Sequence, residues 1–485
     1  MSKEKELNNG KVVNNATELN SDLKFGLKSF ITICAILLGI IILVGVLTYI
    51  IPAGKYESDQ SGNIIPDSFA FIESTTTLPV WRWFTAPIEA LIFGEGNFNI
   101  IQIIAVLLVL GGTFKVLDKA GLLVAIVHMI VDKFYEKRYL LIWVITLFMM
   151  LLASCFGLQE ELLILFPILL AISSAMGWSK EQAVSLILIT TGVGFTTAMF
   201  NPFTIGVASN LAGITVLDGL WFRVLMFVIL YIFTSIFLTI MAKQDEKKTL
   251  TAESNYQFEH LSEEIKREYS KKSAMVIALF SVALVVIVIF SIVPVLADLG
   301  LGMVFMALAF VVGTFIIGVK CLGSFKETIK AFLSGAKDLS PSIIIILLAF
   351  SVKYIAERGN ILHTMFYYCY NFMSAQSPFV SVVILYLIIL VFEFFIPGSL
   401  AKALLLIPLL TLAPLPGISV NVIMLAFLFG DGYTNVLYPT CGTLVVGLSL
   451  ANVSFVSWLK RTGLFQILLF IVSVAFLMLA VYIGL

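Results

Sequence analysis

Charge is scarce in this sequence. Asp, Glu, Lys and Arg together supply 12% of its 485 residues, where a soluble domain carries about a quarter. Acids and bases balance at 30 each, so no nucleic-acid partner is expected. The five cysteines, Cys34, Cys155, Cys321, Cys369 and Cys441, lie in or beside apolar runs with no CxxC or Cys/His spacing, which excludes a disulfide framework and a zinc site. His128, His260 and His363 are scattered likewise. A P-loop, a Gly-rich dinucleotide fingerprint and a nucleophile elbow are all missing. No cofactor, no metal and no enzymatic activity are therefore expected, and coupling to ATP has no motif to carry it.

Apolar sequence is what the chain has instead: 60% of its residues are hydrophobic, the composition of a polytopic membrane protein. Runs long enough to cross roughly 30 Å of hydrocarbon occur at nine places: 30–51, 98–117, 182–212, 218–241, 274–297, 302–319, 341–357, 421–449 and 461–484. Two further stretches, 139–177 and 378–414, are too long for one helix and are interrupted by SCFGLQEE at 154–161 and by PGS at 397–399. Both read as re-entrant hairpins, which are tolerated where protein or water covers their backbone. Residues 1–28 are too long and polar for a signal peptide's basic leader and read as a cytoplasmic tail. Threading nine spans from that tail puts 24 of the 30 Lys and Arg residues on the cytoplasmic side, as the positive-inside rule requires. Leu485 then lies outside, in a multi-pass protein of the cell (inner) membrane.

The two halves resemble each other at an offset near 240 residues. Gly157 and Pro167 match Gly398 and Pro408, Gly192-Val-Gly-Phe-Thr matches Gly430-Asp-Gly-Tyr-Thr, and Pro202, Trp221 and Arg223 match Pro439, Trp458 and Lys460. Their shared order makes an internal repeat. Each copy holds two spans, an amphipathic arm (120–136 and 360–375), a hairpin, a broken span and a final span. The run at 274–297 has no mate and reverses the second copy. The expected architecture is an all-α polytopic membrane protein of two inverted-topology repeats, with about nine spans, two re-entrant hairpins and two broken helices. Its divisions are a tail (1–28), a first repeat (29–241), a cytoplasmic linker (242–273), an extra helix (274–297) and an inverted second repeat (298–485).

Inverted repeats place the substrate where discontinuous helices meet at the midplane. The stretches GVGFTT (192–197) and GDGYTN (430–435) should be the unwound centres, with Gly192, Gly194, Gly430 and Gly432 letting backbone approach substrate. A carboxylate at mid-membrane costs about 2.5–3.5 kcal/mol on insertion scales, so Glu160, Glu161, Glu393 and Asp431 call for a reason. Asp431 stands where the first repeat has Val193 and is the leading substrate or proton ligand. Glu160 and Glu161 point about 100° apart on a helix, so one of them faces the cavity. Glu393 either binds substrate or pairs with Lys402 across the second tip. Gln159, Thr196, Thr197, Asn201, Ser399, Thr434 and Asn435 are neutral candidates, each equally able to satisfy broken backbone. Four acids against one lysine favour a cationic or zwitterionic substrate, since a dianion would want arginine.

The segments GLQEELLILFP (157–167), TTGVGFTTAMFNPFTIGVAS (190–209) and FGDGYTNVLYPT (429–440) resemble the YfcC-type branch of the ion transporter superfamily. That branch is similar to the C4-dicarboxylate anaerobic carriers and to streptococcal-type arginine/ornithine antiporters. The resemblance covers the chain after residue 25. It implies an elevator-type secondary transporter, and on analogy a homodimer braced by the amphipathic arms. The Ser-Asn-Thr tip signature of the sodium-coupled dicarboxylate carriers is absent from both hairpins. Residues and resemblance together point to a basic amino acid, with arginine/ornithine exchange as the specific expectation. A C4-dicarboxylate or other organic anion moved by an ion gradient is the alternative, and a membrane-embedded enzyme is a distant third.

Overall fold

The computed structural model describes residues 27–57, 65, 68–72, 78–94, 97–251, 263–292, 302–374, 376–396, 399–412 and 417–485. Residues 1–26 of the tail, the middle of the 242–273 linker, the end of the 274–297 run, and Pro397 with Gly398 of the second tip lie outside the described residues. Those that are described are helical apart from turns and one short antiparallel ladder, β1 (Gly54–Lys55) with β2 (Ala70–Phe71). The all-α polytopic architecture is therefore the observed one.

The first repeat contributes α1 (Leu27–Ile50), α2 (Val80–Phe93), α3 (Asn97–Lys119), α4 (Leu122–Phe134), α5 (Arg138–Phe156), α6 (Phe166–Ala175), α7 (Lys180–Thr197), α8 (Val207–Leu211) and α9 (Leu220–Thr251). After α10 (Glu263–Ile292) the same order returns: α11 (Gly302–Leu322), α12 (Phe325–Leu339), α13 (Pro341–Arg358), α14 (Ile361–Ser374), α15 (Pro378–Phe395), α16 (Ser399–Leu412), α17 (Val420–Leu437), α18 (Gly442–Leu450) and α19 (Phe455–Ile483). Packing repeats as well. Helix α3 lies against α11 and α12 while its mate α13 lies against α1 and α2; α7 packs on α5 and α9 while α17 packs on α15 and α19. The stretch read as a linker is helical at both ends, because α9 runs on to Thr251 and α10 starts at Glu263.

Nine helices among the described residues are long and apolar enough to span a bilayer, but they are not the nine runs expected. The stretches Tyr135–Phe156 and Pro378–Phe395 qualify, although the sequence makes them the first arms of hairpins. At 1.5 Å per residue a 19-residue arm reaches about 28 Å, so length alone cannot separate an arm from a span. A hairpin returns the chain to the side it left, so downstream sidedness is the same at either depth. The 341–357 run pairs instead with amphipathic α12 across a 41° bend.

Close contacts fix the layer of α2, α3, α12 and α13. Gly111 and Gly335 bring α3 and α12 together, the small-residue contact that lets membrane helices approach. At the other end of the layer, Glu89 on α2 accepts from Arg82 Nε (3.0 Å), Thr85 Oγ1 (2.5 Å) and Tyr354 Oη (2.9 Å) on α13. The Arg82 bond, helped by Thr85 and Tyr354, holds the Glu89 carboxyl well below its ordinary 4.5, at about 2. A depressed folded-state value stabilises fully above the unfolded value and is lost as pH falls through the folded one. Glu89→Gln should therefore cost about 1 kcal/mol in detergent melts at pH 7, a modest figure because the pair is partly wet. The gap from wild type should close between pH 4.5 and pH 2, and a gap of constant size across that window would assign the effect to packing.

Candidate functional site

Helices α7 and α17, mates in the repeat, cross antiparallel, with Gly192 against Gly432 and Val436 and Thr196 against Gly432. Opposite running is what inversion demands of a repeated helix pair. The GxG motifs sit at this crossing, but they are helical. A methyl group on Gly432 would strike the Thr196 hydroxyl and amide and the Gly192 carbonyl; one on Gly194 would lie 2.6 Å from Ala153 Cβ. The glycines thus serve close approach between helices, not unwinding.

The breaks lie about one turn later than the sequence reading placed them, at 198–201 and 438–441. Pro202 closes the first break, which opens at Ala198, and Pro439 lies inside the second. A residue before proline is pushed out of the helical region, and Asn201 and Tyr438 have ψ of 113° and 131°. The freed backbone at the first break is satisfied by the first hairpin. The Ser154 carbonyl accepts from the amides of Phe200 and Asn201 (both 3.1 Å), and its hydroxyl accepts from Met199 N (3.0 Å). Gly157 ends α5 with φ of 70°, and Asn201 packs where a side chain would be. Arg223, buried on α9, donates to the carbonyls of Ala198 (2.9 Å) and Met199 (3.3 Å). An arginine therefore does reach a break, from the following helix. Its mate Lys460 is exposed, and Trp458 takes over, donating from Nε1 to the Val436 carbonyl at 2.9 Å.

The second tip carries the charge. Lys402 Nζ on α16 donates to Asp431 Oδ1 at 2.6 Å and to Glu393 Oε2 at 3.1 Å. Ser399 Oγ donates to Asp431 Oδ2 at 2.7 Å, and Thr434 Oγ1 donates to Glu393 Oε2. Lys402, Asp431 and Glu393 are 1%, 0% and 2% exposed, so two carboxylates share one ammonium in a dry setting. The expected Glu393–Lys402 pair is present, and Asp431 joins it. Among the described residues Glu393 Oε1 and Asn435 Nδ2 are buried without a hydrogen-bond partner.

The first tip approaches from the other repeat. Glu160, half-buried, lies against the Thr443 hydroxyl on α18 and within electrostatic range of Asp431 and Lys402. Glu161 is buried and turns back, accepting from Gln159 N at 3.1 Å. Glu160 is thus the one facing the second repeat. Of the neutral candidates, Ser399 and Thr434 bind the charged group, whereas Thr196 caps the Gly192 carbonyl (3.1 Å), Thr197 meets Ser154 Oγ (3.2 Å) and Asn201 binds Phe203 N (2.9 Å). Lys402, Ser154, Arg223 and Trp458 escaped the candidate set. Lys402 alone carried a visible signal, as the one basic residue in the apolar second hairpin.

The model of the C4-dicarboxylate anaerobic carriers matches residues 30–482. The provisionally named basic amino acid antiporter YfcC of Escherichia coli (strain K12) is 25% identical over 472 residues, covering 89% of this chain and 92% of the relative. An uncharacterized protein of Haemophilus influenzae is 25% identical over 375 residues, covering 76% of this chain and 72% of its own. Among solved structures the Alcanivorax borkumensis YdaH transporter is 14% identical, with 94% of this chain and 98% of that chain covered and a TM-score of 0.40. Neisseria gonorrhoeae MtrF, of a class of antimetabolite efflux pumps, has a TM-score of 0.39 at 14% identity over 93% and 95%. Scores this low carry no argument about fold. The family match, running through both hairpins and both broken helices, is decisive: the chain is a multi-pass membrane transporter of a small molecule and belongs to the C4-dicarboxylate anaerobic carrier family.

Proposed function

We propose that the protein is a secondary active transporter of small amino acids with a cationic side chain, exchanging arginine for ornithine. The observation that carries this reading is the acid surplus at the second tip: Asp431 and Glu393 share Lys402, with Glu160 in range. A further anion would be repelled there, and a cation would be drawn in. The helix start after the second break, at Gly442, offers amides to the substrate's carboxylate. The name of the Escherichia coli relative agrees. Lys402 is the feature that favours the other reading, since a buried ammonium could meet a dicarboxylate. Proteoliposomes loaded with ornithine should take up labelled arginine and ignore succinate; exchange of succinate alone would reverse the assignment.

Transport itself we assign to an elevator motion. The moving body consists of α5–α8 and α15–α18 together with α9 and α19, which pack on them. The frame consists of α1–α3 and α10–α13, with α4 and α14 as the connecting arms. A methyl group on Gly442 of α18 would lie 3.7 Å from the Phe350 ring on α13, across the boundary. A reducible thiol-to-thiol crosslinker joining Gly442→Cys to Phe350→Cys should stop exchange and release it on reduction. Undiminished turnover with the link closed would sink the motion.

Orientation follows the distribution of basic residues, 24 of 30 on the side of the N-terminus. A single cysteine at Lys271 should react with an impermeant maleimide only after cells are opened. Labelling in intact cells would overturn the orientation.

A further inference from the structure

Within the reading of a cationic substrate, we propose that Lys402 is a tethered stand-in for the substrate's cationic group. Its ammonium occupies the Asp431–Glu393 pair while the carrier is empty and gives up those oxygens when substrate arrives. The geometry is that of a filled cation site, with contacts of 2.6 and 3.1 Å to two carboxylates that are essentially inaccessible. Charge supplies the reason. Two buried carboxylates without a cation would have to lose their hydration uncompensated whenever the empty site moved through the bilayer. Lys402 removes most of that cost.

Three features make the ammonium displaceable rather than a fixed strut. Its charge is a point on a flexible four-carbon stem, so it can withdraw without moving α16. Glu393 Oε1 and Asn435 Nδ2 are unused among the described residues, leaving an acceptor and a donor that lysine does not engage. A guanidinium, with five donors in a fork, could use both the acceptor left over and the oxygens lysine holds. The device is also confined to one repeat: at the hairpin offset of Gly157 and Gly398, the mates of Glu393 and Lys402 are Leu152 and Glu161, and Asp431 answers to Val193.

Removing an internal competitor raises apparent affinity, because the binding-competent fraction no longer discounts it. Arginine binding to the purified full-length protein should therefore tighten at least tenfold in Lys402→Met, while Lys402→Arg should bind no tighter than wild type. Since Lys402→Met leaves two carboxylates alone and could fail to fold, the same comparison is made between Glu393→Gln and Glu393→Gln/Lys402→Met. That double variant keeps one acid and the net charge of the natural group, and it too should bind at least tenfold tighter than its parent. In proteoliposomes the ratio of net arginine uptake to arginine/ornithine exchange should fall at least tenfold when Lys402→Met is added in either background, because the empty site then crosses with one more uncompensated negative charge than its parent. Unchanged or weaker binding, or an unchanged ratio, would overturn the proposal. Wild-type protein that binds succinate and no basic amino acid would instead refute the substrate reading, whatever the variants do, and this inference with it.

Discussion

Gly432→Ala is expected to destabilise the protein by about 3 kcal/mol or more, the upper end of what overpacking costs. The reason is what the added methyl would meet: the Thr196 amide and the Gly192 carbonyl, as well as the Thr196 hydroxyl. Side chains can rotate away from an intruder, but backbone in a packed helix can yield only if the helix moves. Moving α7 away from α17 would in turn part Ala153 from Gly194 and shift the Ser154 hydrogen bonds that close the first break. Thermal melts of detergent-purified protein measure the loss. Gly463→Ala on α19 is the control, since nothing lies within 4 Å of its methyl position; there alanine should be neutral or gain up to about 1 kcal/mol. Equal melting temperatures for the two variants would show that α7 and α17 are not in contact at the glycines.

How this crossing appears in the sequence explains which features were legible there. Repetition is readable without geometry, so the order of spans, arm, hairpin and broken helix, the unmatched α10 and the pairing of the two GxG stretches could be anticipated, whereas α2 and α12 were not read as elements. Glycine is ambiguous, because a break and a close helix contact both select it. The sequence therefore located the broken helices but put their unwound part on the glycines, when the residues out of helix include Ala198 and, each just before a proline, Asn201 and Tyr438. Partners far apart in sequence were harder still. Nothing local indicates that Ser154 would serve the amides of 199–201, or that Arg223 would reach back to Ala198. Asp431 and Glu393 were visible as expensive charges in apolar runs, and so was Lys402. That one ammonium bridges both depends on α16 lying beside α17, which spacing does not encode.

Asp431→Asn should leave the fold intact and weaken binding of a cationic substrate by about 1.5–3 kcal/mol, the worth of a charge-assisted hydrogen bond, or about 10- to 150-fold in affinity. Removing one partner of a buried ion pair ordinarily costs about 3–5 kcal/mol because a lone charge is left behind. Here Lys402 keeps Glu393 at 3.1 Å, so a balanced pair remains. The asparagine fills the same volume, its oxygen can still accept from Lys402, and its amide can donate to Ser399 Oγ. Stability and function should therefore separate, which a melt and a binding isotherm on the same preparation will show. Exchange kinetics separate two roles further. If Asp431 holds the substrate cation, both net uptake and exchange fall with affinity and recover at high substrate. If it carries a coupling proton, gradient-driven uptake disappears while exchange survives, because exchange does not require the proton to cross. Glu160→Gln should act in the same sense but more weakly, since Glu160 bonds to Thr443 and acts on Asp431 and Lys402 from the opposite hairpin through charge alone. Wild-type affinity together with a wild-type pH profile in Asp431→Asn would make the aspartate a structural acid. The case for a cationic substrate would then rest on Glu393 and Glu160 alone.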